Sequence, residues 1–382
     1  MAFQSNTFLK MNFQELNLSA PILRAITDQG YTHPTPIQQQ AIPYVLAKKD
    51  LIGCAQTGTG KTAAFAIPIL ELLNSTPKES KAIRSLIITP TRELAVQIAD
   101  NFQAYGKYLK LRHLAIFGGV SQVRQVTVLK NGLDVLIATP GRLLDLIQQG
   151  YVDISKVEIV VLDEADRMLD MGFIKDVKKI LAKLPTKRQT LLFSATMPDE
   201  IRQFTKSILY TPVEVSVTPV SSTAKQISQS VVFVDNGSKA GLLVKVLSDK
   251  AITRSLVFTR TKHGADKLVK QLTQTGIYAA AIHGNKSQTA RQKALTDFRN
   301  SNIRVLVATD IAARGIDIDE LPHVVNYELP NVPETYVHRI GRTGRAGASG
   351  TAISFCDPGE RIDLKNIQKL IGFNVPIQNM PH

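Results

Sequence analysis

A glycine-rich segment early in the chain has the residue types that bind phosphate groups. It follows an apolar run and precedes a helix-like stretch, and its sequence is Ala55-Gln56-Thr57-Gly58-Thr59-Gly60-Lys61-Thr62. Glycines let backbone N–H groups turn towards phosphate oxygens, and a helix N-terminus adds free donors and a favourable dipole. This is the pattern of a P-loop, with Ala55 in place of the first glycine. It predicts that Lys61 neutralises phosphates and that the Thr62 hydroxyl ligates Mg²⁺; the alternative is a glycine-rich turn without a ligand.

Two acidic residues further along the chain suit the metal ion that accompanies bound phosphates. Asp163 and Glu164 directly follow the apolar residues 159–162. In enzymes with a P-loop, an acid at this place holds Mg²⁺, and we assign that role to Asp163. Glu164 is then placed to orient or deprotonate a water molecule. The alternative, a solvated strand end, is disfavoured because the same chain carries the glycine-rich segment.

Short apolar runs are the elements that must position these residues. In the first part of the chain they cover residues 51–54, 86–88, 114–117, 135–138, 159–162, 190–193 and 213–217, with amphipathic stretches such as 92–109 and 173–184 between them. Such runs are typical of buried strands in a parallel sheet, and their alternation with helices indicates α/β layers. Because most of the runs end in a small or polar cluster, the clusters should meet at the carboxyl edge of the sheet, where open α/β sheets bind ligands.

The pattern then restarts in the second part of the chain. Further apolar runs lie at residues 231–234, 255–258, 279–282, 305–308, 324–327 and 351–355, and residues 305–309 nearly repeat residues 135–139. We therefore predict two similar α/β domains, each a mostly parallel sheet flanked by helices. They are placed at residues 1–217 and 226–382, joined by a linker at residues 218–225.

The composition is that of an ordinary globular protein with a basic surplus. The 382 residues carry a formal net charge of +14, and both halves contain more Lys and Arg than Asp and Glu. A polyanion lying across both halves fits this charge, although a basic protein with no nucleic-acid role is the alternative on charge alone. The two cysteines, Cys54 and Cys356, favour a reducing cytoplasm over a zinc site or a disulfide framework. The apolar runs are too short to span a membrane, and residues 1–10 lack the apolar core of a signal peptide.

Residues 163–166 spell the name of a family, and the other motifs of that family are present in order. In the first part of the chain these are Phe13, Gly30-Tyr31-x-x-Pro34-Thr35-Pro36-Ile37-Gln38, Pro90-Thr91-Arg92-Glu93-Leu94, Gly118-Gly119, Thr139-Pro140-Gly141-Arg142 and Ser194-Ala195-Thr196. In the second part they are Val257-Phe258-Thr259-Arg260-Thr261, Gln288-x-x-Arg291, Ala308-Thr309-Asp310, Arg314-Gly315-Ile316-Asp317 and His338-Arg339-Ile340-Gly341-Arg342-Thr343-Gly344-Arg345. The chain from about Phe13 to Phe355 thus resembles the DEAD-box ATP-dependent RNA helicases, most of all the bacterial RhlE-like branch.

The resemblance implies a fold and an ATP site. The fold is two tandem RecA-like domains of the P-loop NTPase type, the first ATP-binding and the second a helicase domain. The Gln38 amide can donate and accept along the edge of adenine, and the spacing from Pro36 selects it over the adjacent glutamines. Tyr31 and Phe13 complete the adenine side, and Asp317 is implied to bind the ribose. The implied cofactors are ATP and Mg²⁺, the latter held by Thr62 and Asp163 partly through water.

The resemblance also implies how hydrolysis is catalysed and coupled. Besides Lys61, Asp163 and Glu164, the catalytic residues are Arg342 and Arg345, which sit one helical turn apart, at i and i+3, so that both can face one way. They are implied to stabilise charge on the transferring phosphoryl group, and the alternative is a basic loop on RNA phosphates. A coupling cluster is implied for Asp166, Ser194, Thr196 and His338.

RNA contacts are implied on the same strand-end edge of both domains. Hydroxyl, glycine and arginine residues suit phosphate and sugar contacts, including contacts to the 2′-OH. The implied set is Pro90, Thr91, Arg92, Gly119, Thr139 and Arg142 in the first domain, and Arg260, Gly284, Arg291, Thr309 and Asp310 in the second. Few aromatic residues lie near these motifs, so we expect binding that is independent of base sequence. After Gly119 the family often has Gln-x-x-Arg, whereas this chain has Gln122-Val123-Arg124-Gln125, which makes Arg124 an alternative contact.

The function that follows is RNA-stimulated ATP hydrolysis that draws the two domains together. Closure would unwind short RNA duplexes locally or remodel RNA–protein complexes. The rival functions are an ATP-gated RNA clamp with little unwinding, a DNA-directed helicase of the same superfamily, and a non-enzymatic RNA-binding scaffold. We expect single-stranded or duplex RNA as partner, together with ribosome-assembly or RNA-decay proteins. We also expect a cytoplasmic monomer without membrane contact.

Overall fold

The computed structural model describes residues 11–56, 58–76, 82–217, 227–313, 321–343 and 350–378. The chain divides into two compact units, unit 1 at Met1–Val217 and unit 2 at Thr218–His382. The predicted linker at residues 218–225 lies outside the described residues. No helix in the described ranges combines the length and the apolar character that crossing a bilayer requires.

Unit 1 contains one parallel sheet, with seven strands among the described residues. In chain order they are β1 (Leu51–Cys54), β2 (Ser85–Ile88), β3 (His113–Ile116), β4 (Val135–Ala138), β5 (Ile159–Asp163), β6 (Gln189–Ser194) and β7 (Val213–Ser216). Their order across the sheet is β3-β4-β2-β5-β6-β1-β7, and every neighbouring pair is parallel. Each predicted run coincides with a strand to within one residue at either end, so the predicted strands of unit 1 are confirmed.

Helices cover the two faces of this sheet. After a short 3₁₀ helix at Phe13–Leu16 they are α1 (Ala20–Asp28), α2 (Pro36–Leu46), α3 (Lys61–Ser75), α4 (Arg92–Tyr105), α5 (Val123–Lys130), α6 (Pro140–Gln148), α7 (Ala165–Asp170), α8 (Ile174–Leu181) and α9 (Asp199–Ile208). The helix predicted at 92–109 ends earlier, at Tyr105, where Gly106 follows and glycine favours a helix end. The stretch predicted at 173–184 is helical at Ile174–Leu181.

Burial on both faces of the sheet explains why its strands are continuously apolar. Neighbouring residues of β5 alternate between two separate core clusters: Val161 packs in one, and Val160 and Leu162 pack in the other. Side chains of a strand point alternately to opposite faces, so a strand covered by helices on both sides needs apolar residues throughout. The polar residues are thereby confined to the strand ends.

Unit 2 repeats this architecture with a six-stranded sheet among its described residues. The strands are β8 (Ser228–Phe233), β9 (Ser255–Thr259), β10 (Ala279–Ile282), β11 (Val305–Thr309), β12 (His323–Asn326) and β13 (Thr351–Cys356), in the order β10-β11-β9-β12-β13-β8. The helices are α10 (Lys239–Leu247), α11 (Lys262–Gln274), α12 (Gln288–Arg299), α13 (Asp310–Ala313), α14 (Pro333–Ile340) and α15 (Arg361–Ile371), with 3₁₀ turns at Asn236–Ser238 and Pro358–Glu360. All pairs are parallel. The predicted fold class, two α/β units each with a parallel sheet flanked by helices, is confirmed.

Candidate functional site

The glycine-rich segment connects β1 to α3 at the carboxyl edge of the sheet of unit 1. Gly58 and Gly60 have positive φ angles of 80° and 92°, which glycine adopts without the steric cost of a Cβ. The Lys61 side chain is buried, and its Nζ donates to the Ala55 carbonyl. The Thr59 hydroxyl donates to the Gln56 carbonyl at 2.6 Å. Both hydrogen bonds therefore link the later part of the segment back to its first two residues. Of the predicted phosphate-binding residues, Thr57 lies outside the described residues.

Gln38 joins this loop to the start of α2. Its Oε1 accepts from the backbone N–H of Thr35 at 2.9 Å, and its Nε2 donates to the Gly60 carbonyl at 3.2 Å. The first bond belongs to a capping box at the N-terminus of α2. Only 3% of Gln38 is exposed, and a Cβ on Gly60 would lie 2.3 Å from its Nε2. The amide thus positions the loop, and each of its polar atoms keeps capacity for one more hydrogen bond.

The two aromatic residues predicted beside adenine lie next to each other. The rings of Phe13 and Tyr31 are 6.5 Å apart between centroids and inclined by 19°. Phe13 is buried, whereas Tyr31 is exposed, and the Tyr31 hydroxyl lies 3.2 Å from that of Tyr105. Together with Asn12 and Thr27 they line a cavity of about 180 Å³. The sequence did not indicate Tyr105, which fixes the hydroxyl end of Tyr31.

Asp163 and Glu164 lie at the end of β5, and both are buried. Burial, and next the neighbouring Glu164 carboxylate, raise the pKa of Asp163, while Lys61 opposes the shift. Glu164 has a left-handed backbone with φ 54° at the start of α7, and its N–H donates to Asp163 Oδ1 at 3.1 Å. Its carboxylate accepts from Nη1 of the buried Arg167. Sequence reasoning missed Arg167, although it stands three residues after Glu164 at the start of a helix, the spacing of an ion pair.

The predicted coupling residues of unit 1 form one hydrogen-bonded cluster. Asp166 Oδ2 accepts from both the backbone N–H and the hydroxyl of Thr196, at 2.8 and 2.9 Å. Ser194 Oγ accepts from the backbone N–H of Asp166 at 3.2 Å and donates to the Thr196 carbonyl at 2.7 Å. The ends of β5 and β6 are thereby tied together. The fourth predicted member, His338, lies half-buried on α14 of unit 2.

The predicted RNA contacts of unit 1 converge at the same edge. Arg92, the first residue of α4, packs against Gly119 so closely that a Cβ there would lie 2.0 Å from its Nη1. The Arg142 guanidinium donates from Nη2 to the Val120 carbonyl at 3.1 Å. Thr91 and Thr139 are the residues directly before α4 and α6. Three segments that are distant in sequence, with Pro90 buried beside them, therefore form one polar edge.

The segment after Gly119 has a structural role at its last residue. Gln125 is buried, and its amide accepts from the N–H and donates to the carbonyl of Phe117, at 3.3 and 3.1 Å. Arg124 is exposed. Gln122 exchanges side-chain hydrogen bonds with Gln149. Where the family often has arginine, this chain therefore has a glutamine that fixes the backbone at the end of β3.

In unit 2, two predicted RNA-contact residues are held by groups of their own unit. Arg260 Nη2 lies 2.6 Å from Asp363 Oδ2 and 3.3 Å from Glu360 Oε1. Asp310 accepts two hydrogen bonds from Arg339, a residue inside the last predicted motif that sequence reasoning left without a role. Of the other predicted contacts, Arg291 and Thr309 are buried and Gly284 is exposed. The Asp310–Arg339 pair thus links two motifs of unit 2, whereas Arg260 is paired with residues outside the motifs.

The helical geometry assumed for Arg342 is wrong. Helix α14 ends at Ile340, with Gly341 as its C-cap, and Arg342 follows in a turn. Its backbone N–H donates to the Arg339 carbonyl at 3.2 Å, and its side chain is buried. The spacing argument for a helix therefore does not apply at this position, because glycine ends the helix first. Arg345 and Asp317 lie outside the described residues.

The sequence and the fold both match known proteins. The family model described as DEAD/DEAH box helicase matches residues 35–204, and the helicase conserved C-terminal domain matches residues 238–347. The chain is 45% identical over 357 residues to the DEAD-box ATP-dependent RNA helicase CshA of Geobacillus kaustophilus, covering 94% of this chain and 76% of that protein. It is 42% identical over 376 residues to RhpA of Helicobacter pylori, covering 98% and 76%.

A solved structure extends the match to both units. The S. cerevisiae protein Dbp5, bound to RNA and ADP BeF3, superimposes with a TM-score of 0.85 at 32% identity, covering 98% of this chain and 96% of that one. The two units are thus tandem RecA-like domains. The CshA and RhpA relatives do not confirm the predicted RhlE-like branch, which stays a prediction. With the P-loop, the acidic strand end and the polar edge in place, the chain belongs to the DEAD-box family of ATP-dependent RNA helicases, enzymes that hydrolyse ATP.

Proposed function

We propose that unit 1 binds ATP at the loop formed by residues 55–62 and uses Glu164 as the base that activates water. The observation that carries this proposal is the convergence of Lys61, Asp163 and Glu164 at one strand-end edge, where Lys61 and Glu164 are the opposing charges that act on Asp163. Phe13, Tyr31 and Gln38 are proposed on the adenine side. Gln38 borders the loop through its hydrogen bond to Gly60, and a buried amide discriminates between base edges by donor and acceptor.

The residues at this edge also fit a magnesium ion. Carboxylate and hydroxyl oxygens are the ligands that Mg²⁺ prefers, and we assign them to Asp163 and Thr62. Among the described residues, no cluster of three or more His, Cys, Asp or Glu side chains could hold a metal ion. Asp163 and Thr62 are only a partial set of ligands, and this suits Mg²⁺, which keeps bound waters and shares its coordination shell with substrate phosphates. When bound, the ion would neutralise charge on the phosphate oxygens.

We propose that hydrolysis requires both units. The phosphate-binding loop belongs to unit 1, whereas Arg342 and Arg345, the proposed stabilisers of the transferring phosphoryl group, belong to unit 2. Neither unit carries the complete set, so ATP is expected to draw the units together, with Asp317 on the ribose. The cluster of Asp166, Ser194 and Thr196 is proposed to transmit this change to RNA, with His338 as its partner.

The proposed consequence for RNA is local strand separation without base preference. In unit 1, hydroxyls and arginines at the ends of β2, β3 and β4 are suited to phosphate and 2′-OH contacts. In unit 2, Gly284, Arg291 and Thr309 are the proposed contacts. We propose a cytoplasmic monomer acting in ribosome assembly or RNA decay, and the free thiols of Cys54 and Cys356 are typical of a reducing compartment.

The test is ATP hydrolysis by the full chain in three conditions: without nucleic acid, with poly-RNA and with single-stranded DNA of equal length. Strong stimulation by RNA alone, followed by unwinding of short duplexes, supports the proposal. Equal stimulation by DNA would show that the nucleic-acid edge does not select the 2′-OH. RNA stimulation without strand separation would identify an ATP-gated clamp. Lys61→Ala is the matched inactive control, because it removes the ammonium and leaves the loop glycines in place.

A further inference from the structure

A second cavity lies in unit 1 at the amino ends of the strands, away from the P-loop at their carboxyl ends. It has a volume of about 510 Å³, and its lining includes Lys48, just before β1, and the first residues of β5 and β6, Ile159 and Gln189. Cavities of about 300–1,000 Å³ are the usual size for small-molecule sites. All of its lining residues belong to unit 1, so the site is complete within that unit.

The lining combines apolar residues with surplus positive charge. Leu72, Val157, Ile159 and Pro185 supply the apolar part. The cationic residues are Lys48, Lys156, Lys187 and Arg188. The three lysines are exposed, and within the described ranges none of them forms an ion pair. Such a combination suits a ligand with a flat apolar part and concentrated negative charge.

Arg188 is the least satisfied of these cations. Its Nη1 donates to the Pro185 carbonyl at 2.8 Å, while its buried Nε has no hydrogen-bond partner among the described residues. Burial lowers the pKa of Arg188, and the nearby Asp50 opposes that shift. The Asp50 carboxylate already accepts from the backbone N–H groups of Thr190 and Tyr210, at 2.8 and 2.7 Å.

Glu158 is the one acid among the described lining residues, and its charge is already compensated. Glu158 Oε1 lies 2.7 Å from Nε of Arg84, a buried side chain that also donates to the Leu73 carbonyl. The charge of Glu158 is thereby matched by an arginine outside the lining. The four cations around the cavity are left in excess, and an anion is the ligand that would balance them.

Gln189 adds a buried acceptor at the same cavity. Its side-chain Nε2 donates to the carbonyls of Val45 and Lys49, at 3.0 and 2.8 Å, which fixes the orientation of the amide. Its Oε1 has no partner among the described residues, although only 6% of the residue is exposed. A buried acceptor without a donor is unfavourable, so a ligand N–H at this position would satisfy it.

We propose that this cavity binds a phosphorylated nucleoside, either a free nucleotide or one nucleotide unit of an RNA strand. The base would lie on the apolar lining and donate an N–H to Gln189, and the phosphates would lie among the lysines and Arg188. A bare anion would leave the apolar lining and the amide oxygen unused. The site would be distinct from the ATP site, since it lies at the other end of the strands.

The test is calorimetric titration of the full chain in saturating ADP with cytidine 5′-diphosphate, with a five-nucleotide oligocytidylate and with inorganic pyrophosphate. Cytosine carries an amino group that can donate to Gln189. The test variant is Lys156→Glu/Lys187→Glu, and the matched control is Lys175→Glu/Lys206→Glu, which makes the same charge change at exposed helix positions of unit 1 outside the lining. Basal ATP hydrolysis should be unchanged in both, since neither pair belongs to the proposed ATP site.

The proposal expects binding that is about tenfold or more weaker in the test variant and close to wild type in the control. Binding of the diphosphate identifies a free nucleotide as the source, and binding of the oligonucleotide alone identifies RNA. No binding of either probe to the wild type would overturn the proposal. Equal weakening in both variants would overturn it too, because general attraction to a basic protein would then explain the binding. If pyrophosphate binds as tightly as cytidine 5′-diphosphate, the nucleoside is not recognised, and the proposal is overturned. The paired comparison does not depend on the ATP-site assignment, because all four substitutions leave that site unaltered.

Discussion

Arg339 provides the sharpest stability test in unit 2. Its guanidinium donates to both oxygens of Asp310 at 2.5 and 2.8 Å, to Asn326 Oδ1 at 3.1 Å and to the Glu328 carbonyl at 2.6 Å. It lies 4.9 Å over the ring of Phe258. Only 1% of the residue is exposed. One side chain thus ties the ends of β11 and β12 to α14.

Replacing Arg339 by lysine keeps the positive charge but removes the planar guanidinium that places the four donated hydrogen bonds. One ammonium cannot occupy the places of three guanidinium nitrogens, so at least two of the four hydrogen bonds are lost. Bonds to charged groups contribute about 1.5–3 kcal/mol each. Because the Asp310 side chain is 23% exposed, water relieves part of the loss, and we expect a destabilisation of about 2–3 kcal/mol. Arg339→Met should cost about 3–5 kcal/mol, since it leaves the carboxylate without its partner.

Hydrogen–deuterium exchange resolved by peptide measures this effect unit by unit. A change of about 3 kcal/mol corresponds to about a hundredfold faster exchange where reclosing is fast and the opening equilibrium sets the exchange rate. The increase should appear in the peptides of β9, β11 and β12. The strands of unit 1 serve as the internal control, because they belong to a separate compact unit. The double variant Arg339→Met/Asp310→Asn should recover part of the protection, since the unpaired charge is removed.

Exchange in Arg339→Lys that matches the wild type throughout unit 2 would refute this reasoning. It would mean that a lysine at the same position satisfies the surrounding acceptors, or that water replaces the lost bonds without cost. Faster exchange in both units alike would also contradict it, because the cause would then be global rather than the loss of one buried network.

Three further predictions concern the proposed ATP site and RNA-contact edge of unit 1. Gly119→Ala places a Cβ 2.0 Å from Arg92 Nη1 at a φ of 76°. The RNA concentration for half-maximal stimulation of ATP hydrolysis should therefore rise about tenfold. The control Gly118→Ala, whose Cβ would have its nearest contact at 4.0 Å, should change this concentration little. Gly60→Ala adds a Cβ 2.3 Å from Gln38 Nε2 at a φ of 92°, so kcat/KM for ATP should fall about tenfold. Unchanged steady-state kinetics would count against the loop geometry. Glu164→Gln should hydrolyse ATP at least about a hundredfold more slowly while retaining ATP-dependent RNA binding. Rapid RNA release by this variant, measured by fluorescence anisotropy, would contradict the assignment of Glu164 as the base.

The strands were predictable because a parallel sheet covered on both faces leaves a strong trace in the sequence. Residues 159–162 illustrate this, since each is apolar and each is buried. The places of the polar clusters followed from the same rule, because the strands are parallel and their carboxyl ends share one edge. That rule brought Asp166 beside Thr196, although they are 30 positions apart.

Pairings between distant charged residues could not be predicted. Arg260 was expected to contact RNA, but its guanidinium faces Asp363, which is 103 positions away. Periodicity gives the direction of a side chain on its own element and contains no information about which charge a neighbouring element presents. The helix assumed at Arg342 failed for a local reason, the glycine directly before it. Arg167 could have been found from its spacing to Glu164.

The arginines of the motifs have a role in the protein before any nucleic acid binds. Arg142 donates to the Val120 carbonyl, Arg92 packs on Gly119, and Arg339 donates to acceptors of three residues of unit 2. Each fixes a loop that carries other predicted contacts, so its substitution would alter RNA binding even if it never met a phosphate. A loss of RNA affinity on removing such a residue therefore does not by itself identify a contact. The salt dependence of binding separates the two roles, because losing a phosphate contact reduces the slope by about one unit per charge, whereas a displaced loop lowers affinity at every salt concentration.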